Sequence, residues 1–218
     1  MDGNQPMVVR DGDAPLLVRV LAASLGRAAA QPKLARDLRR LRGRVGLRST
    51  VGPQAATIDF AGRVVRVTPG AGPDVDVLIE GDLETMGRPG AAKPKVSGAV
   101  RHPRLALGAG RVLDAGPPGG WRGAVDMLWD WAQGDDGRPE LLRVVCQDDG
   151  GEHAVGRRGG TRVEVHGPDW ALVAVFTGAD HLGAALLEGR VQVLGDLPEL
   201  SRFVGLLTRF MLGEDGGR

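Results

Sequence analysis

Four histidines (His102, His153, His166 and His181), one cysteine (Cys146) and four serines are the side chains on which acid-base, nucleophilic or metal chemistry would have to rest. No two histidines stand three or four residues apart, the spacing that sets two imidazoles on one helix face for a metal ion. His166 lies near Asp169 and Cys146 falls in an apolar run that reads as strand, but pairing Cys146 with a histidine would rest on residue type alone. Cys146 reads instead as a small buried hydrophobe. Ser24, Ser49, Ser97 and Ser201 lack the Gly-x-Ser-x-Gly elbow. Gly108-Ala109-Gly110, followed by Leu113, lacks the third glycine of a dinucleotide fingerprint. These residues hold no catalytic constellation, no metal site and no cofactor motif, so a binding role is expected in place of catalysis.

Charge and composition narrow that role. The 28 Lys and Arg against 27 Asp and Glu leave a net charge of +1 over 218 residues, so no overall field draws in nucleic acid or an anionic membrane. Arg36, Arg39, Arg40, Arg42 and Arg44 have no interleaved aromatics and read as a solvated helix face, with no nucleic-acid partner expected. A lone cysteine excludes a disulfide within the chain and fits a reducing cytoplasm. Met1–Val9 lacks the basic start and apolar stretch of a signal peptide. No segment approaches the roughly 20 apolar residues of a span, so a cytoplasmic protein with no stable membrane anchor is expected. There is no tyrosine, and aromatics are 4% of the chain. An internal pocket would be walled by Leu, Val, Ala and Met, which suits aliphatic ligands.

The elements follow from periodicity. Leu17, Val20, Leu21 and Leu25, then Leu34, Leu38 and Leu41, recur at helical spacing on either side of Pro32. The period then becomes two through Val45/Leu47, Ile58/Phe60, Val65/Val67 and Val75/Val77/Ile79, which predicts an antiparallel meander of about four strands. A short helix is expected over Leu83 and Met86, another near Leu105 and Leu107, then a strand at Arg111 to Asp114 and a helix through Trp121, Val125, Leu128, Trp129 and Trp131. Strands at 141–146, near 154–155 and at 161–165 precede helices through Trp170–Phe176 and Leu182–Leu186, a strand at 190–194 and a long final helix at 197–212. The class is α+β.

Gly110-Arg111-Val112 and Gly189-Arg190-Val191 are separated by the same offset as Leu128 and Leu207, or Trp131 and Phe210. Val77–Gly81 also matches Val163–Gly167 at a slightly larger offset. Two related units are expected, 15–137 and 138–214, with residues 1–14 and 215–218 as flexible ends.

The second unit resembles the C-terminal half of the sterol carrier protein type-two lipid-transfer domain. The resemblance rests on the order Val163/Val165, Trp170 to Thr177-Gly178, His181 to Leu187, Glu188-Gly189-Arg190-Val191-Gln192-Val193, Leu194-Gly195-Asp196, and Leu200 to Leu212. The first unit resembles the same family more loosely, and in particular its bacterial accessory members in ubiquinone biosynthesis. There the carriers are Leu34, Leu38 and Leu41, Gly43-Arg44-Val45, and the strands to Ile79-Glu80-Gly81. It departs from the pattern at Pro89 to Lys95 and at Gly116-Pro117-Pro118. The resemblance implies a mixed sheet covered on one face by helices, with a tunnel for a fatty acyl chain, a sterol or another apolar molecule. The expected pocket residues are Trp170, Val173, Phe176, Leu182, Leu186, Leu200, Phe203, Val204, Leu207, Phe210 and Met211; the apolar stripe of the final helix reads first as the core face of a packed helix, which is compatible with a cavity partly beneath it. Trp121, Trp129 and Trp131 exceed the need of one helix face and read either as core or as a docking patch for a protein partner or a homodimer. Two readings follow: a non-catalytic carrier, or an assembly partner of a biosynthetic complex with a filled pocket.

Overall fold

The computed structural model describes residues 5–86, 88–114, 116–157, 159 and 161–214. The chain is α+β and divides into two compact units at Ala115/Gly116.

The first unit runs β1 (Met7–Val9), α1 (Leu16–Ala30), α2 (Pro32–Arg40), β2 (Arg42–Ser49), β3 (Ala55–Ala61), β4 (Val64–Pro69), β5 (Val77–Gly81), β6 (Lys95–Ser97) and α3 (Pro103–Leu113). Its strands form one sheet in the order β1-β4-β3-β2-β5-β6. Strand alternation sends Val45, Leu47, Ile58, Phe60, Val65, Val67, Val77 and Ile79 to one face, where Val18, Leu25, Leu38, Leu105 and Val112 from the three helices pack on them. Pro32 and Pro103 open α2 and α3 where a missing N–H costs nothing.

The second unit runs α4 (Gly120–Trp131), β7 (Leu141–Cys146), β8 (Glu152–Gly156), β9 (Arg162–Gly167), α5 (Asp169–Phe176), α6 (Leu182–Leu187), β10 (Gln192–Leu194) and α7 (Leu197–Leu212). Its sheet order is β10-β9-β7-β8. Leu142, Val144, Val163 and Val165 meet Trp121, Val125, Leu128, Leu172, Phe176, Phe203, Leu206 and Phe210.

The two sheets repeat one pattern. β2 and β7 each pair antiparallel with the next strand and parallel with β5 or β9, in matching register: Val45↔Val77 and Leu47↔Ile79 answer Leu142↔Val163 and Val144↔Val165. Val96 of β6 lies opposite Ile79, as Val193 of β10 lies opposite Val165. Gly98 and Gly195 follow these edge strands. A Cβ on Gly98 would sit 2.1 Å from the Asp76 carbonyl oxygen, and one on Gly195 2.9 Å from that of Arg162. Asp76 and Arg162 hold the same place at the head of the parallel strand, so the duplicated turn demands glycine twice.

Several expectations change. The unit boundary falls before α4, not after Gly137, because the apolar face of α4 packs on β8 and α5 of the second unit. Residues 111–114 continue helix α3, whose Leu105, Ala109 and Val112 keep helical spacing. β5 is parallel to β2, so the four strands are not a simple antiparallel meander. Around Leu83 and Met86 there is a turn, closed by Glu84 N–H donating to Asp82 Oδ1 at 3.0 Å. Within the expected N-terminal flexible end, Met7–Val9 forms a strand parallel to β4 and Ala14 is buried. Residues 1–4 and 215–218 lie outside the described residues.

Gly98→Ala should destabilise the first unit by about 2 kcal/mol or more, since φ is +81° and the new methyl meets backbone. Calorimetry should show its unfolding midpoint lowered by roughly 10 °C, whereas Gly12→Ala, with nothing within 4 Å, should leave it unchanged.

Candidate functional site

The residues expected to line a pocket in the second unit divide by position. Phe176, Leu182, Phe203, Leu207, Phe210 and Met211 are buried. Trp170, Val173, Leu200 and Val204 are half-buried and pack on the same core, while Leu186 reaches solvent. Helices α5, α6 and α7 therefore roof the apolar face of the sheet with side chains interdigitated at the centre and a looser rim. α7 is tied down at one end by the Arg209–Asp135 ion pair, at 2.6 Å, and begins just after Asp196 with Pro198 in its first turn. Arg190 clamps the α6–β10 turn through Asp180 and Glu188.

Of the three tryptophans Trp121 belongs to the core, while Trp129 and Trp131 are half-buried at its edge. Trp121 is buried with its ring edge-on to His153; Trp131 packs edge-to-face on Phe210 with centroids 5.0 Å apart; Arg138 lies 3.8 Å over Trp129. Because α4 lies against both α5 and β8, more than one of its faces is covered. Trp131 and Phe210, equivalent by the expected repeat, are partners in one core, so that offset does not relate the two units.

The four histidines and Cys146 each have a hydrogen-bonding or charged partner. His181 Nδ1 accepts from Gly183 N–H at 3.1 Å, which leaves the proton on Nε2 to be donated to Thr208 Oγ1 at 3.2 Å. Thr208 spends its own proton on the Val204 carbonyl at 2.8 Å, so this is no base-activated nucleophile. His153 Nε2 meets Asp126 at 2.7 Å, and His102 faces Asp76 at 3.6 Å. Cys146 is buried, and its hydrogen bond to Asp149 adds to that of Gly151 N–H in holding the Asp149 carboxyl below its ordinary value. No group of three or more metal-ligating side chains occurs among the described residues.

Alternation also builds the helix-free faces, which sequence reading did not single out. In the first unit a groove of about 540 Å³ runs over Arg44, Thr57, Asp59, Arg66 and Thr68, rimmed by Gly72, Asp74 and Val75. The 70–76 loop is held over it by Thr57 Oγ1 donating to the Gly70 carbonyl at 2.7 Å and by Arg48 to that of Ala71 at 3.0 Å. It is open and of mixed lining, with Ala61 and Val64 beside the charged groups, unlike an enclosed apolar tunnel. In the second unit the corresponding face carries Arg143 between Glu152 (2.6 Å) and Glu164 (3.0 Å), with His166 at 2.6 Å from Glu164. Arg143↔Glu164 stands in the register of Gly46↔Leu78. One copy of the fold thus fills this position with an apolar contact and the other with an ion pair. Burial raises the Glu164 carboxyl, but hydrogen bonds from His166 and Arg143 and the charges of Arg143 and Arg162 outweigh it and hold the group below its usual 4.5.

No protein-family model and no curated protein matches the chain.

A carboxyl held low when folded contributes stability that is present above its unfolded value and lost as pH falls through the folded one. Urea unfolding of the second unit should therefore weaken from about pH 5 downward, and Glu164→Gln should flatten that dependence. An unchanged slope would mean that other carboxylates carry it.

Proposed function

We propose that the chain is a non-catalytic carrier of an apolar small molecule, such as a lipid, sterol or isoprenoid-like compound, built from two sterol-carrier-like units. The observation that carries this reading is the architecture of each unit: a mixed sheet with one apolar face roofed by helices, the interior aliphatic apart from Phe60 in the first unit and aliphatic with aromatic side chains in the second. Such an interior binds by burial, at about 25 cal/mol per Å² of apolar surface removed from water, and needs no charged chemistry. The motif order from Val163 to Leu212 that resembles the sterol-carrier domain falls on β9, α5, α6, β10 and α7 in sequence, which favours the second unit as the working one. With Phe203, Leu207 and Phe210 packed at the centre, ligand enters by displacing the rim of the roof, where Trp170, Val173, Leu200 and Val204 are half-buried. The single buried cysteine is compatible with a reducing cytoplasm as its place of work.

The same packed centre favours a second reading, an assembly partner whose interior is filled. Native mass spectrometry of the intact protein distinguishes them. The carrier reading expects a copurified apolar molecule released on denaturation, or uptake of a fluorescent fatty acid. A clean apo mass, no uptake and a stable oligomer would establish the assembly partner instead. His166→Ala and Cys146→Ala should leave uptake unchanged, since neither contributes chemistry; loss of uptake in either folded variant would reopen the catalytic question.

A further inference from the structure

We propose that the β6–α3 region of the first unit docks on an anionic lipid surface. Residues 88–104 contain no Asp or Glu. Lys93, Lys95, Arg101 and Arg104 are exposed there, and none of the four is in an ion pair among the described residues. Large apolar side chains stand exposed among them: Val100 is 96% exposed, Leu107 72% and Val96 46%. On α3 the buried Leu105, Ala109 and Val112 fix the inner face, which leaves Arg104, Leu107 and Arg111 at three- and four-residue intervals along the outer one. Val100 lies just before this helix, in a turn closed by the N–H groups of Arg101 and His102 donating to the Gly98 carbonyl. The neighbouring carboxylates are already engaged: Asp76 accepts from Arg44 N–H at 2.8 Å and faces His102 at 3.6 Å, Glu80, opposite Lys95 in the strand register, pairs with Arg48 at 3.3 Å, and Asp37 pairs with Arg111 at 3.7 Å.

Cations with protruding aliphatic groups between them fit a surface that is anionic outside and apolar beneath. Basic side chains are drawn by the head groups and the apolar ones enter the acyl boundary. A polyanion such as nucleic acid would use the charges and gain nothing from Val100 and Leu107. The cations belong to this unit and not to the fold. At the corresponding turn of the second unit Leu197 is 79% exposed, but Asp196 and Glu199 stand beside it. The near-zero net charge of the chain is no obstacle, because at physiological salt charges act over roughly 8 Å.

The test is flotation of the full chain with vesicles of phosphatidylcholine alone and of phosphatidylcholine with phosphatidylglycerol. Binding is expected on the anionic vesicles and should weaken as salt rises. Reversing Lys93, Arg101 and Arg104 to Glu should lower it about a hundredfold. Val100→Asp with Leu107→Asp should lower it about tenfold. Leu197→Asp and the charge reversal Arg36→Glu with Arg40→Glu, all at exposed positions, should leave it unchanged and report on folding and on charge in general. Equal binding to both vesicles, binding to neither, or binding to duplex DNA as strong as to anionic vesicles and indifferent to Val100 and Leu107 would overturn the proposal.

Discussion

Each sheet is apolar on one face only, and that asymmetry dictates the rest of the molecule. Strand alternation places Val45, Leu47, Ile58, Phe60, Val65 and Val67 on one side of the first sheet, and Leu142, Val144, Val163 and Val165 on one side of the second. An aliphatic face left in water is unstable, so helices must cover it. In the first unit α1, α2 and α3 do so; in the second, α4, α5, α6 and α7. The helix-free faces are under no such constraint, and they differ: one is a groove of mixed lining over Arg44, Asp59 and Arg66, the other an ion network centred on Glu164.

The two units keep the same strand pairing, the same edge-strand glycine and a helix after it, and add different parts. β4 and β1 extend the first sheet beyond β3, whereas the second sheet ends at β8. Conversely, α5 and α6 separate β9 from β10, a place the first unit fills with the turn and loop between β5 and β6. The roof of the second unit is therefore made of more helices, and that is where the order resembling a sterol-carrier domain is best preserved.

These additions also explain what could be read from sequence. Alternation revealed the strands, and Pro32 the division of α1 from α2, because both are local signals. The repeated pattern was legible in part: Val77–Gly81 and Val163–Gly167 do lie on corresponding strands, β5 and β9, each parallel to the central strand of its sheet. The additions fall before β5 in one unit and before β10 in the other, so no single offset runs through both, and matching glycines aligned helix α3 with the strand at 192–194. The contacts of Trp129 with Arg138 and of Trp131 with Phe210 were not legible, because those partners lie outside α4. The groove residues Arg44, Thr57, Asp59 and Arg66 were visible as the polar alternates of β2, β3 and β4, but an expectation fixed on an apolar tunnel gives such positions no weight.

The central claim is that an apolar ligand lies between a helical roof and the aliphatic face of a sheet. Hydrogen exchange of the full chain, with and without a long-chain fatty acid, tests it most directly. The account predicts greater protection on binding in α5, α6, α7, β7 and β9, with the 70–76 loop over the groove of the first unit unaffected. Protection confined to the groove over Arg44 and Arg66, or none in either interior, would contradict it.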